Sequence, residues 1–264
     1  MTTLALPAPR LVGADLLKLR RRRGLAIVVG LLTLGTVAIT YGVMELLHLI
    51  NSTKHGPAGG IENLGHGTFL VAALGGVAAA IVGASAGAGD LDAGVYRDLV
   101  VTGRSRVSLF LSRIPAGLAF LLPFVAAAYA FASVATVEFA NSKPVPDVPL
   151  MALGGLWALL EVTFYFLLSL GIACLIGSRS YTIGIVLAFR LAITPILFSI
   201  SALGIVRELL PGVAMQSLLP AAFGESARQG PVIPMSVGAT AAVLIVWTVV
   251  ALALAGRRDA TRDA

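Results

Sequence analysis

Six long apolar stretches, with positive charge gathered on one side of them, constrain this 264-residue chain more than any other feature. The first runs from Leu25 to Leu47, directly after the basic cluster Lys18, Arg20, Arg21, Arg22 and Arg23. The others read as Thr68 to Ala88, Val107 to Val137, Leu150 to Ile176, Thr182 to Leu203 and Met235 to Ala255. A helix of about 20 apolar residues crosses a bilayer core, and every stretch reaches that length. The predicted fold is therefore an all-α integral membrane protein with six transmembrane helices.

Composition agrees. Only 12% of residues are charged, against about 25% in soluble domains, so polar surface is too scarce to coat a water-soluble globule. The chain reads as one transmembrane domain over 1–264, with a tail and elbow helix at 1–24, the spans at 25–256 and a short tail at 257–264. The first stretch is longer than the roughly 7–15 residues of a cleaved signal core, and reads as a retained anchor.

Charge then sets topology. With the N-terminus placed in the cytoplasm, the inner segments hold Arg10, Lys18, Arg20 to Arg23, Arg97, Arg104, Arg106, Arg113, Arg179, Arg257, Arg258 and Arg262. The outer segments hold only Lys54, Lys143, Arg207 and Arg228. This bias follows the positive-inside rule and places both termini in the cytoplasm. It also accounts for the formal net charge of +6 without any nucleic-acid partner.

Two segments outside the spans carry a pattern. In Leu11 to Gly24, apolar Leu11, Val12, Leu16, Leu17 and Leu19 alternate with Asp15, Lys18 and arginines, as in a helix lying in the membrane interface. The outer segment from Gly204 to Pro234 is apolar, with Leu209, Leu210, Val213, Met215, Leu218, Leu219 and Phe223 punctuated by prolines. It reads as short helices dipping back into the membrane under protein cover. Pro115 and Pro123 are expected to kink the third span.

Motifs for a phosphate-cradling loop and for zinc hydrolysis are missing: the sequence has no GxxxxGK[ST] or HExxH. ATP hydrolysis on this chain is therefore not expected, and no catalytic or metal site is assigned. His48, His55 and His66 are read as solvated residues of the first outer loop; a metal site there would need a carboxylate helper such as Glu62, and the spacing matches no known ligand pattern. The lone Cys174 excludes an internal disulfide and reads as a buried, inert thiol. Gly75, Gly76, Gly83, Ala84, Gly87 and Gly89 make a small-residue face on the second span, with Gly83 and Gly87 forming a GxxxG. Such a face lets another helix approach closely, within the chain or across a dimer.

Two charges interrupt the spans. By helix rise, Glu161 sits about 16 Å below the outer end of the fourth span and Arg190 about 12 Å above the inner end of the fifth. Across a core of about 30 Å these depths nearly coincide, and the spans are joined only by residues Gly177 to Tyr181. An intramembrane ion pair, Glu161 with Arg190, is predicted, either as a structural staple or as a polar point on a transport path.

The densest polar segment follows the second span: GDLDAGVYRDLVVTGRSRVSLFLSR from Gly89. Leu91, Val95, Leu99 and Thr102 recur at helical spacing among Asp90, Asp92, Arg97 and Asp98. That predicts a short amphipathic helix ended by Gly103. The segment resembles the loop between the second and third spans in permeases of the type-2 exporter class of ABC transporters. The family's acidic residue is matched by Asp90 or Asp92, its Gly-Thr pair by Gly94-Val95, its turn by Gly103-Arg104-Ser105-Arg106, and its later basic residue by Arg113. The departures are Asp for Glu, Val95 for Thr and Gly103 for Pro. The elbow helix, six spans and outer re-entrant helices are similar in layout over nearly the whole chain.

The resemblance implies a permease subunit in a bacterial cytoplasmic (inner) membrane. It would work with a second permease copy or homologue, with membrane lipid, and with two copies of a separate ABC ATPase subunit that holds ATP and Mg. Its loop helix would act as a coupling helix in a cleft of the ATPase. Asp90, Asp92, Arg97, Asp98, Arg104 and Arg106 would supply polar contacts, Leu91, Val95 and Leu99 packing, and Gly94, Gly103 and Ser105 the turns. The cargo path would run between permeases along the first, second and fifth spans, whose apolar, Gly/Ala-rich walls suit an amphipathic or lipid-like drug or natural product. The competing expectation is an ATP-independent, proton-coupled secondary carrier using Glu161 and Arg190. An intramembrane enzyme and a pure scaffold are weaker alternatives.

Overall fold

A computed structural model of the chain describes residues 9–94, 105–224 and 233–261. Among these residues every regular element is helical. A short helix α1 (Pro9–Arg21) precedes the first of six long apolar helices: α2 (Arg23–Ile50), α3 (Ile61–Asp92), α4 (Arg106–Glu138), α5 (Val148–Ile176), α6 (Arg179–Ser199) and, last, α8 (Val237–Thr261). Each of the six is long and apolar enough to cross a membrane, which makes this a multi-pass membrane protein. The end of the bundle that carries α1 and the C-terminal turn of α8 is called the base below, and the opposite end the top.

The helices extend past the apolar stretches at several ends. Helix α3 starts seven residues before Thr68 and runs to Asp92, because residues 61–67 and 89–92 find packing partners that make helix cheaper than loop. Asn63 donates to the carbonyls of Pro57 and Gly59, and Tyr41 to that of Asn63. His48 lies on α2 and His66 on α3, so only His55 is in the first connection. This corrects their placement together in a loop: the helices simply outlast the hydrophobic run. Helix α6 stops earlier than Leu203. It ends at Ser199, and Ser201–Leu209 continues as tight 3-10 turns broken at Gly204, whose φ of 50° lies in the left-handed region.

Caps define the remaining ends. Ser105 accepts from the Ser108 amide to start α4, and Asp147 from the Leu150 amide to start α5. Gly177, at φ 78°, closes α5 in a left-handed cap. That reverses the chain within two residues, and α6 then starts beside α5. Pro115 and Pro123 both sit inside the continuous helix α4.

Helices α3 and α5 form the centre, each with 61% of its apolar window buried, whereas α2, α6 and α8 keep only 17–22% buried. Small residues make the central contact. Cβ atoms placed on Gly75, Gly83 and Gly87 of α3 would fall 2.7 Å from Val162, 2.6 Å from the Phe166 carbonyl and 2.6 Å from Ala173, all on α5. The small-residue face therefore packs inside the chain, and Ser169 of α5 donates to the Ala80 carbonyl across it at 2.7 Å. Helix α3 survives its many glycines because this close packing outweighs their roughly 1 kcal/mol propensity cost each. The outer helices present Leu31, Ile39, Leu49, Ile196, Ile245 and Val249 outward, a surface suited to lipid or a protein partner.

Between α6 and α8 the chain folds over the top as the Ser201–Leu209 turns, a short helix α7 (Pro211–Ser217) and a turn at Ala221–Phe223. Its Val213, Ala214, Met215 and Phe223 are buried. Trp157 of α5 donates to the Met215 carbonyl at 2.7 Å, Trp247 of α8 to that of Leu209 at 2.9 Å, and Ser217 meets Thr240 at 2.9 Å.

Candidate functional site

Two polar constellations lie in an otherwise apolar molecule. The first is inside the bundle. Glu161 Oε1 accepts a hydrogen bond from Arg190 Nη2 at 2.6 Å. The same nitrogen donates to the Ala72 carbonyl at 2.9 Å, and the guanidinium carbon lies 4.0 Å from the Tyr165 ring centre. Three helices thus hold one cation: α5 by charge and ring face, α3 by backbone, and α6 by the chain itself.

Local structure explains how Arg190 reaches so far. It lies in a π-helical turn, Phe189–Ile193, where the widened backbone re-aims side chains. The Thr194 hydroxyl donates to the Phe189 carbonyl there. On the receiving side stands Gly76. A Cβ at that position would fall 1.3 Å from Arg190 Nη1 and 2.2 Å from Cζ. Only a glycine admits the guanidinium. Nη1 itself is buried against α3 with no hydrogen-bond acceptor.

The pair forms part of the wall of a cavity of about 550 Å³. Its sides are Phe69 and Ala73 of α3, Trp157 and Tyr165 of α5, and Leu191, Thr194 and Phe198 of α6. Gly212, Val213, Met215, Gln216 and Leu219 of the top segment form its remaining wall, and it stays open past Pro195 and Ser199. The sequence marks the two charges; it carries no signal for the cavity, because α7 reaches its place only through the Trp157 bond and its own buried face.

The second constellation is at the base. Arg113, only 3% exposed, donates from Nη2 to Asp90 at 3.4 Å and from Nη1 to the Gly87 carbonyl at 3.2 Å. Its Nη1 also lies 3.9 Å from Asp259 of α8 and 3.7 Å from the sulfur of Cys174. Lys18 of α1 reaches Asp90 at 2.9 Å, and Ser112 donates to Asp15 of α1 at 2.7 Å. Helices α1, α3, α4 and α8 are cross-tied at this point. Asp259 was not singled out in the sequence; it follows the arginines of a tail that reads as loop, whereas α8 continues helically through it.

The expected docking residues divide into three groups. Val95, Arg97, Asp98, Leu99, Gly103 and Arg104, with the short amphipathic helix they were to form, lie outside the described residues. Asp90, Leu91 and Asp92 are not loop residues but the last turn of α3. Asp90 turns inward onto Lys18 and Arg113, while the Asp92 carboxylate accepts from the Arg179 amide at 3.3 Å, capping α6. Gly94 follows α3 at φ 69°. Ser105 is the cap and Arg106 the first residue of α4, rather than parts of a free turn. Their sequence spacing is compatible with helix or loop, and side-chain partners on α1, α4 and α6 decide it.

At the top, His48 Nδ1 lies 2.7 Å from the His55 carbonyl and its Nε2 3.3 Å from Asn141. Among the described residues no group of three His, Cys, Asp or Glu side chains comes together to hold a metal. No protein-family model matches the chain, and no curated protein is significantly similar to it in sequence.

Proposed function

We propose that this chain is the membrane-spanning permease subunit of an ATP-driven exporter, resembling the type-2 class of ABC transporters. It would carry an amphipathic or lipid-like molecule out of the cytoplasm or inner leaflet, coupled to a separate ATPase subunit that binds ATP and Mg. In this reading α1 is the interfacial elbow helix, residues 95–104 the coupling segment, and the 201–223 region the re-entrant segment. The base of the bundle, with both termini, faces the cytoplasm of a bacterium.

One observation carries the reading. The coupling segment leaves α3 two residues after Asp92 and enters α4 at Ser105. Both helices are tied beside those ends to α1 and α8 through Asp90, Arg113, Asp15, Lys18 and Asp259. A pull on the segment by a closing ATPase pair would act on a rigid polar knot rather than on one helix, so it would re-angle several spans together.

The test is purification in gentle detergent from native membranes with mass spectrometry of what co-purifies. A stoichiometric ATPase with a phosphate-binding loop is the expected result. Converting Arg97 and Arg106 to Glu should then abolish substrate-linked ATPase activity in a folded permease. Recovery of the chain alone, active in transport and sensitive to protonophores, would replace this reading with the proton-coupled carrier. That second reading draws on the cavity-facing Glu161–Arg190 pair.

A further inference from the structure

We propose that the cavity behind the top segment binds a small amphipathic molecule with no net charge, its hydrogen-bonding end at the Glu161–Arg190 pair and its apolar body along Trp157, Phe69 and Phe198. The proposal deepens the export reading by naming a class of cargo, and rests on that reading only for calling the ligand cargo.

Size comes first. A cavity of about 550 Å³ falls in the range that holds drug-sized ligands, roughly 300–1,000 Å³. Its make-up is that of a ligand site, with aromatic and aliphatic walls and a few polar groups among them. Glu161 and Arg190 keep 12% and 8% of their side-chain surface while lining it. Gln216, Thr194 and Ser199 add neutral donors and acceptors.

Charge decides the class. Among the described residues Glu161 and Arg190 are the only carboxylate and the only cationic side chain on the cavity wall. They are already bonded to each other at 2.6 Å, so the wall sums to zero. An anion would repel Glu161 and a cation Arg190. Either would leave one uncompensated charge in a medium that solvates it poorly. An uncharged ligand incurs no such penalty and can still bond to the pair's open edge.

The experiment uses two dyes of one skeleton: N-phenyl-1-naphthylamine, which is uncharged, and 1-anilinonaphthalene-8-sulfonate, which adds one negative charge. The full chain is placed in lipid nanodiscs with Trp247→Phe. Trp157, on the cavity wall, is then the only tryptophan, and saturable energy transfer from it reports occupancy. The uncharged dye should bind at least about tenfold more tightly than the sulfonate, and Glu161→Gln, which leaves the wall with one net positive charge, should reverse that order. Ser199→Phe, at an exposed residue of the rim, should abolish saturable transfer while the fold persists. Equal affinity for the two dyes, an unchanged order in Glu161→Gln, or full transfer in Ser199→Phe would each overturn the proposal. None of these readouts needs an ATPase. Failure to recover an ATPase partner therefore strikes the export reading alone, and failure of the dye series strikes this site alone.

Discussion

Replacing Gly76 by Ala adds one methyl group, and the structure makes it a severe change. The new Cβ would lie 1.3 Å from Arg190 Nη1, 2.2 Å from Cζ and 2.8 Å from Nη2. Ordinary contact needs about 3.5 Å, so the guanidinium must withdraw by about 2 Å. Its bonds to Glu161 at 2.6 Å and Ala72 at 2.9 Å cannot survive that shift. Losing one partner of a buried ion pair costs about 3–5 kcal/mol, and alanine returns about 1 kcal/mol of helix propensity. The net loss should be about 2–4 kcal/mol. The assay can use the single cysteine. Cys174 is fully buried, so labelling by a thiol-reactive dye during a thermal ramp follows unfolding. Gly184→Ala, where a Cβ meets nothing within 4 Å, is the control and should be neutral or slightly stabilising. In a Glu161→Gln/Arg190→Met background the clash has no guanidinium to displace, and Gly76→Ala should become nearly free. A loss below about 1 kcal/mol in the native background, or the same loss in both backgrounds, would refute the reasoning.

Three further outcomes are expected at the base. Arg113→Gln should destabilise by about 3–5 kcal/mol, since it strips a buried cation from Asp90 and Asp259. Lys18→Ala, at a side chain 41% exposed, should cost below about 1 kcal/mol, and the same thermal ramp separates the two. Asp92→Ala removes the carboxylate that caps α6 at the Arg179 amide and should cost about 0.5–1 kcal/mol. Hydrogen exchange should quicken in the first turn of α6 and not in α5.

Hydropathy and charge alone locate six spans, because a bilayer demands a long apolar helix and nothing else in this chain competes with that demand. Boundaries are less legible. Residues 61–67 and the turn at Asp90 look like loop, and become helix because Tyr41, Lys18 and Arg113 reach them from other elements. The depth of Glu161 and Arg190 in their spans can be counted from the sequence. The glycine that admits the guanidinium cannot be singled out, since Gly75 and Gly76 are adjacent and face different partners, Val162 and Arg190.

By itself, then, the sequence determined the solvent, the number of crossings and that the two charges within the spans, Glu161 and Arg190, must be buried. Those properties follow from transfer free energy summed along single helices, which needs no knowledge of neighbours. Only the tertiary structure decided that the small-residue face is spent inside the chain, that Asp90 points inward, and that α7 forms a wall of the cavity beside the ion pair. These depend on which surfaces meet across 60 to 120 residues of chain, as in Lys18 with Asp90 or Arg190 with Ala72. That choice is made by shape and hydrogen-bond complementarity between helices, and no local pattern encodes it.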